Sequence, residues 1–87
     1  MILFRAQYTP APNTDREHAQ GAIERCDVAH REIAKNVWLI RVDDGDAAQW
    51  EARLNENAGA KNGTFHVTPA SEDERKKVES GEIVLQK

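Results

Sequence analysis

The segment Val37–Val42 constrains the fold of this chain more than any other part of the sequence. Its residues, Val-Trp-Leu-Ile-Arg-Val, place apolar side chains on both faces of an extended strand, interrupted by Arg41 alone. Such a strand belongs inside a sheet that is covered on both sides. Because helices cover one face in a two-layer domain, we predict that a partner covers the other, with Trp38 and Ile40 as candidate interface residues.

Further strands are indicated on both sides of this segment. Lys35-Asn36 predicts a two-residue turn, which pairs the segment with a weaker and more polar strand over Ala29–Ala34. Alternating side chains predict a first strand over 2–9, ended by the prolines that follow it. Shorter strands are predicted over 64–68, stopped by a proline, and over 82–86.

Three segments carry a helix-start pattern, in which Ser, Thr or Asp is followed three residues later by Glu or Gln. They begin at Thr14, Asp46 and Ser71. Apolar residues recur at helical spacing behind the first two: Ala19, Ala22, Ile23 and Cys26, and then Ala47, Trp50, Leu54 and Ala58. We predict two amphipathic helices, the second ended by Gly59, and a short, very polar third helix.

The resulting order is β, α, β, β, α, β, followed by a short helix and a fifth strand. The fold class is therefore α+β, a single ferredoxin-like βαββαβ domain over 1–87 with two helices on one face of an antiparallel sheet. Right-handed crossovers place the first and third strands at its centre. The fifth strand extends its own sheet or crosses to a second copy, and a crossing would put Ile83, Val84 and Leu85 in the interface of a homodimer.

Composition argues against several classes of protein. The single cysteine, Cys26, cannot form an internal disulfide, which favours a reducing, cytoplasmic location. Twelve Lys and Arg against fifteen Asp and Glu give a net charge of −3, which disfavours nucleic-acid binding unless the charges segregate by face. Arg5 directly after the apolar start argues against a signal peptide, and no apolar run is long enough for a membrane helix.

The histidines are the natural candidates for acid–base chemistry. His18, His30 and His66 fall in three different predicted elements and lack the spacing of a zinc site. His66-Val67-Thr68 is similar to the His-x-Thr motif of two-histidine phosphoesterases, so His66 and Thr68 are candidate catalytic residues. That class of enzyme uses two such motifs, whereas this chain has one, which favours an ordinary strand histidine.

Three aspartates follow the central strand and form the one candidate metal site. Carboxylates of Asp43, Asp44 and Asp46 could hold Mg²⁺ or Ca²⁺. Turn formation and capping of the next helix also explain all three, and we favour that interpretation. No cofactor is predicted. Cys26 is expected to be a buried, inert thiol, Trp50 to be a core residue, and the basic cluster that starts at Arg75 to be a solvated helix face.

The layout resembles that of the small ferredoxin-like subunit of CRISPR adaptation complexes and its relatives among short toxin-like and phage-borne proteins. The resemblance rests on a strand at the first residues, on the hairpin strand Asn36-Val37-Trp38-Leu39-Ile40, and on a late strand that completes a partner's sheet. In that family an aspartate near the end of the first strand binds a metal. Gln7-Tyr8-Thr9 stands there in this chain, so the resemblance implies the fold without the nuclease chemistry.

The sequence therefore predicts a non-enzymatic, homodimeric binding or regulatory protein that acts through protein–protein contacts, and the resemblance implies that a phage or mobile element encodes it. One alternative is a metal-dependent nuclease or phosphodiesterase that uses His66 or the three aspartates. Another is an inhibitor whose acidic surface occupies the nucleic-acid site of a second protein.

Overall fold

A computed structural model describes residues 2–13 and 17–87 of the chain. The predicted helix start at Thr14 lies outside the described residues, and the helix behind it is described from Glu17. The elements are, in chain order, β1 (Ile2–Pro10), α1 (Glu17–Arg25), β2 (Ala29–Ala34), β3 (Val37–Val42), α2 (Ala47–Ala58), β4 (Gly63–Pro69) and α3 (Glu72–Glu79).

The four strands form one antiparallel sheet in the order β2-β3-β1-β4. The prediction that the first and third strands lie side by side at the centre is confirmed. So is the hairpin, whose turn at Lys35-Asn36 places Asn36 at a φ of 60°, a value that asparagine tolerates. The domain is thus of the α+β class, with three helices among the described residues.

Helices α1 and α2 cover one face of the sheet, which we call the helix face. Alternation along β1 turns Phe4, Ala6 and Tyr8 to this side, as predicted. The core between the layers combines apolar residues from α1, α2 and all of the strands except β2: Phe4, Ala6, Tyr8, Ala19, Ala22, Ile23, Cys26, Trp38, Ile40, Val42, Trp50, Leu54, Ala58, Phe65 and Val67.

The start of α2 forms as its sequence predicts. The Asp46 carboxylate accepts from the Gln49 amide at 2.8 Å, and the Gln49 side chain accepts from the Asp46 amide at 2.9 Å. Just before it, Gly45 has a φ of 95° and passes close to Trp50, whose Nε1 would lie 2.8 Å from an added Cβ. A side chain at position 45 would therefore displace the Trp50 ring.

The edge of β4 is closed by side chains of α2. The Asn55 amide donates to the Phe65 carbonyl at 3.2 Å and accepts from the Phe65 amide. One turn earlier, Glu51 accepts from the Val67 amide at 2.9 Å. The next outward position is Pro69, which has no N–H to offer.

The edge of β2 is closed by the end of the chain. Gln86 and His30 exchange both main-chain hydrogen bonds, at 3.0 and 3.1 Å. The prediction of a fifth strand over 82–86 is wrong, because this single bridge is all the pairing that the segment makes. Two features limit it: β2 has an irregular register between Glu32 and Ala34, and the Ile83 amide already donates to the carbonyl of Lys77.

The short helix α3 connects these two edges. It starts at a capping box between Ser71 and Glu74, as predicted, and it contains no buried residue. Before it, the Ala70 amide donates to the Leu3 carbonyl at 3.1 Å, which holds the start of α3 beside β1. Among the described residues, no helix is long and apolar enough to span a bilayer.

Candidate functional site

The second face of the sheet, opposite the helix face, carries a cluster of arginines. The strand register pairs Arg5 of β1 and Arg31 of β2 with Leu39 of β3, on either side of it. Arg41 lies two residues further along β3 on the same side. With strands about 4.8 Å apart, the three arginines surround Leu39 at distances that side chains can bridge. We call Arg5, Arg31, Arg41 and Leu39 the arginine face.

No carboxylate of the described residues forms an ion pair with the three guanidinium groups. No Asp or Glu in the described ranges 2–13 and 17–87 lies within 4.0 Å of them, and Arg31 reaches only the Val84 carbonyl, at 3.5 Å. Other cationic side chains have partners: Lys76 pairs with Glu72 and Lys77 with Asp73, both at 3.4 Å. The arginine face is therefore a local concentration of positive charge on a chain whose net charge is −3.

Leu39 is fully buried beneath this cluster, although it points away from the core. Arginine side chains cover apolar surface with their methylene stems while the charged head stays in water. Arg5 and Arg31 are exposed on either side of Leu39. Leu39 has no exposed surface of its own, so what this part of the sheet offers to a partner is cationic.

No aromatic side chain lies on the arginine face. The chain has two Trp, two Phe and one Tyr, and all five are buried, with at most 8% of any of them exposed. Single-stranded nucleic acids are bound largely by stacking of bases on exposed aromatic rings. The face can attract an anion, but it offers no aromatic ring for a base to stack on.

The candidate catalytic residues His66 and Thr68 lie on β4, on the same side of the sheet as Arg5. Both are exposed, and His66 Nδ1 is 3.8 Å from Glu51 Oε1, in a contact that is open to solvent. His66 is in register with Gln7, and Thr68 with Arg5. No second histidine of the described residues lies on β4 with them, since His18 belongs to α1 and His30 to β2 at the far edge of the sheet.

The candidate metal ligands lie at the other end of the sheet from His66. Asp43 follows Val42, which pairs with Ile2, whereas His66 pairs with a residue five positions further along β1, roughly 17 Å away. Asp46 caps α2, and the Asp44 carbonyl accepts from Trp50 Nε1 at 2.8 Å. Within the described residues, no group of three His, Cys, Asp or Glu could hold a metal ion. The structure therefore does not combine His66 and the aspartates in one site.

Cys26 is buried between α1 and α2. Burial raises the pKa of the Cys26 thiol above its ordinary value of 9.0, against smaller opposite effects from the charge of Arg53 and a hydrogen bond from Asn57. Asn57 Nδ2 lies 3.3 Å from its Sγ, and the thiol lies 3.4 Å from the Ala22 carbonyl. The thiol is held as a core group, as predicted.

The residues proposed from sequence as an interface divide into two groups. Trp38 and Ile40 are wholly buried in the core of their own chain, where Trp38 Nε1 donates to Gln20 at 3.2 Å. Their side chains offer no surface to a partner, so the expectation that they form an interface is corrected: α1 and α2 cover that side of β3.

Val84 is 48% exposed and is the most exposed large apolar side chain of the described residues. Its neighbours Ile83 and Leu85 are half-buried beside β2.

The arginine face was missed at the level of sequence, although part of its signal was present. Alternation alone assigns Arg5 and Arg41 to the faces of their strands. It does not say which strands are neighbours or in what register, and both are needed to place Arg31 and Arg5 on opposite sides of one leucine.

Comparison with known proteins assigns neither a family nor a function to this chain. No family model, no curated protein and no solved structure matches this chain. The arguments about its function therefore rest on its own residues.

Proposed function

We propose that this chain is a non-enzymatic binding module whose arginine face takes an acidic segment of a partner protein. The observation that carries the proposal is the set of three guanidinium groups around Leu39, none of them neutralised by a carboxylate of the described residues. Guanidinium is weakly hydrated and its fork of donors fits a carboxylate, so such a cluster suits the side chains of Asp and Glu.

Two features favour a protein over a nucleic acid as the partner. The chain has a net charge of −3, so it repels the phosphate backbone of a nucleic acid, and this repulsion grows with the number of nucleotides bound. All five aromatic side chains are buried, which removes stacking on aromatic rings as a source of affinity. A short acidic peptide needs neither a long basic track nor exposed aromatic rings.

The fold is a suitable scaffold for the proposed binding function. The element order and the central pair β3 and β1, with α1 and α2 on one face, support the ferredoxin-like description, whereas the resemblance to CRISPR adaptation subunits stays a proposal from the sequence. In place of that family's metal-binding aspartate, this chain has Gln7-Tyr8-Thr9 at the end of β1. Binding without nuclease chemistry is consistent with that difference.

Homodimer formation stays a prediction, and two of the features that suggested it have another explanation within one chain. The end of the chain bridges its own β2 through Gln86. Leu39, on the face of β3 opposite to Trp38 and Ile40, is also fully buried within one chain, so neither face of this strand depends on a partner for cover. Sedimentation of the protein over a range of concentrations measures the association directly.

The proposal is tested with a fluorescently labelled oligoglutamate peptide as the probe. We expect the full chain to bind it, with an affinity that falls as salt is added. Arg5→Gln should weaken binding about tenfold, the effect of losing one charge-assisted contact, and the triple variant Arg5→Gln/Arg31→Gln/Arg41→Gln should abolish it. Fluorescence anisotropy measures each affinity, and thermal unfolding verifies that the variants are folded.

Lys61→Gln is the matched control, because it removes the same charge from the turn between α2 and β4. If it weakens binding as much as Arg5→Gln, the peptide responds to net charge and the arginine face is not its site. Tighter binding of single-stranded RNA than of oligoglutamate, lost in the same triple variant, would contradict the choice of a protein partner.

A further inference from the structure

A groove of about 400 Å³ separates α3 from the start of β1 and the end of β3. Its walls are mainly apolar, with three charged side chains. The lining residues are Ile2, Leu3, Phe4, Arg41, Pro69, Arg75, Val78 and Glu79.

The groove exists because α3 is fixed at its ends and has little to bury between them. The Ala70 amide bonds the Leu3 carbonyl before the helix, and Gln86 exchanges main-chain hydrogen bonds with His30 of β2 after it. Val78 is the only apolar residue of α3, and it lines the groove while remaining half-buried. By contrast α2 buries three side chains against the sheet. A ligand in the groove would complete the burial of Val78 and Leu3.

Arg41 and Arg75 bring positive charge to the groove from two different elements. Arg41 comes from the sheet and Arg75 from α3. Neither forms an ion pair within 4.0 Å with any carboxylate in the part of the chain that the structure describes, Glu79 included. Two guanidinium groups beside an apolar surface complement a ligand with an anionic head and an apolar chain.

We propose that this groove binds a small carboxylic acid with an unbranched apolar chain, its carboxylate between Arg41 and Arg75 and its chain along Leu3 and Val78. The volume lies near the lower end of the range for small-molecule pockets, roughly 300–1,000 Å³, which favours a free acid over a folded partner. The site goes beyond the proposed peptide-binding function and shares Arg41 alone with the arginine face.

Octanoate is the probe, added to the full chain and followed by calorimetry and by amide chemical shifts of residues in α3 and β1. Butyrate keeps the carboxylate and loses four methylenes, so it should bind about a hundredfold more weakly. Octanol keeps the chain and loses the charge, and it should bind about tenfold more weakly.

Substitutions in and beside the groove test whether octanoate binds there. Arg75→Gln should weaken octanoate about tenfold, and Val78→Trp should block it by filling the groove. Lys76→Gln is the matched control on the same helix, since Lys76 pairs with Glu72 and does not line the groove. Unchanged thermal unfolding of Arg75→Gln verifies that lost binding does not come from lost structure.

The outcome separates this proposal from the peptide-binding one. Arg5→Gln should leave octanoate binding unchanged while it weakens oligoglutamate, because Arg5 does not line the groove. Absence of octanoate binding, or equal binding of octanol, overturns the groove proposal and leaves the peptide proposal standing. Tighter binding of acetyl-leucine than of octanoate overturns it in favour of a peptide carboxyl terminus.

Discussion

The two edges of this sheet are closed by different parts of the chain. At β4, side chains of α2 take the place of a neighbouring strand: Asn55 bonds both main-chain groups of Phe65, and Glu51 bonds the Val67 amide. At β2, main-chain groups of Gln86 form a single bridge to His30. Both devices block pairing with another chain, which is the general hazard of an exposed edge.

The difference lies in what holds each closing group. Asn55 and Glu51 belong to a helix whose other face buries Trp50, Leu54 and Ala58 in the core. Gln86 belongs to a segment of exposed and half-buried residues with one bridge to the sheet. We therefore expect the β4 edge to open only when the domain unfolds and the β2 edge to open locally.

The largest expected effect comes from Asn55→Ala. It removes two hydrogen bonds to Phe65, so the free energy of unfolding should fall by about 2 kcal/mol, slightly less if the better helix propensity of alanine compensates. Urea unfolding measures the change. Glu56→Ala, an exposed position on the same helix, is the control and should change stability by less than about 0.5 kcal/mol. A loss no greater than that of the control would show that the β4 edge needs no closure.

Replacement of Glu51 should have a smaller effect, because one hydrogen bond is involved. Glu51→Ala should lower the free energy of unfolding by about 1 kcal/mol, whereas Glu51→Gln keeps an acceptor oxygen for the Val67 amide and should retain most of the stability. The contact with His66 is exposed and should contribute little. If Gln were as damaging as Ala, the charge of Glu51 would matter more than its hydrogen bond.

At the β2 edge, Gln86→Pro removes the amide that bonds the His30 carbonyl. We expect a loss of only about 0.5 kcal/mol, since this segment is weakly held. Amide exchange should accelerate at His30 and stay unchanged at Phe65. Gln86→Ala keeps the main-chain donor and should behave like the wild type. Faster exchange at both edges would mean that they open together.

The smallest effect is expected for Pro69→Ala, which adds an outward N–H to the β4 edge. The position is exposed, so water satisfies the new donor, and the loss of about 0.5 kcal/mol should come from the greater freedom of the unfolded chain. Pro12→Ala, at an exposed turn position outside the strands, should lose a similar amount. A clearly larger loss at Pro69 would show that its missing N–H contributes to the closure of this edge.

Local patterns predicted most of the elements of this fold. The bounds of β2, β3 and α2 follow from the Lys35-Asn36 turn, the Asp46 capping box and Gly59, each of which acts within a few residues. The central place of β3 follows from its apolar composition. These features need no knowledge of distant contacts.

Features that depend on tertiary contacts were not predicted. Ile83 and Val84 have strong strand propensity, yet the path of the chain after α3 leaves one residue, Gln86, in position to pair. The roles of Asn55 and Glu51 depend on how α2 is rotated against β4, which helical spacing alone does not give. The arginine face likewise depends on the register of three strands.

The closure at Asn55 has an evolutionary consequence. The Asn55 amide donates to one main-chain group and accepts from another at the same time. Asp at position 55 would leave the Phe65 carbonyl without its partner, and Leu would leave both main-chain groups of Phe65 without theirs. The bridge at Gln86 uses main-chain atoms, which every residue except proline supplies in full. Among descendants of this chain we expect position 55 to keep its asparagine while position 86 drifts, so that the two edges accumulate substitutions at different rates.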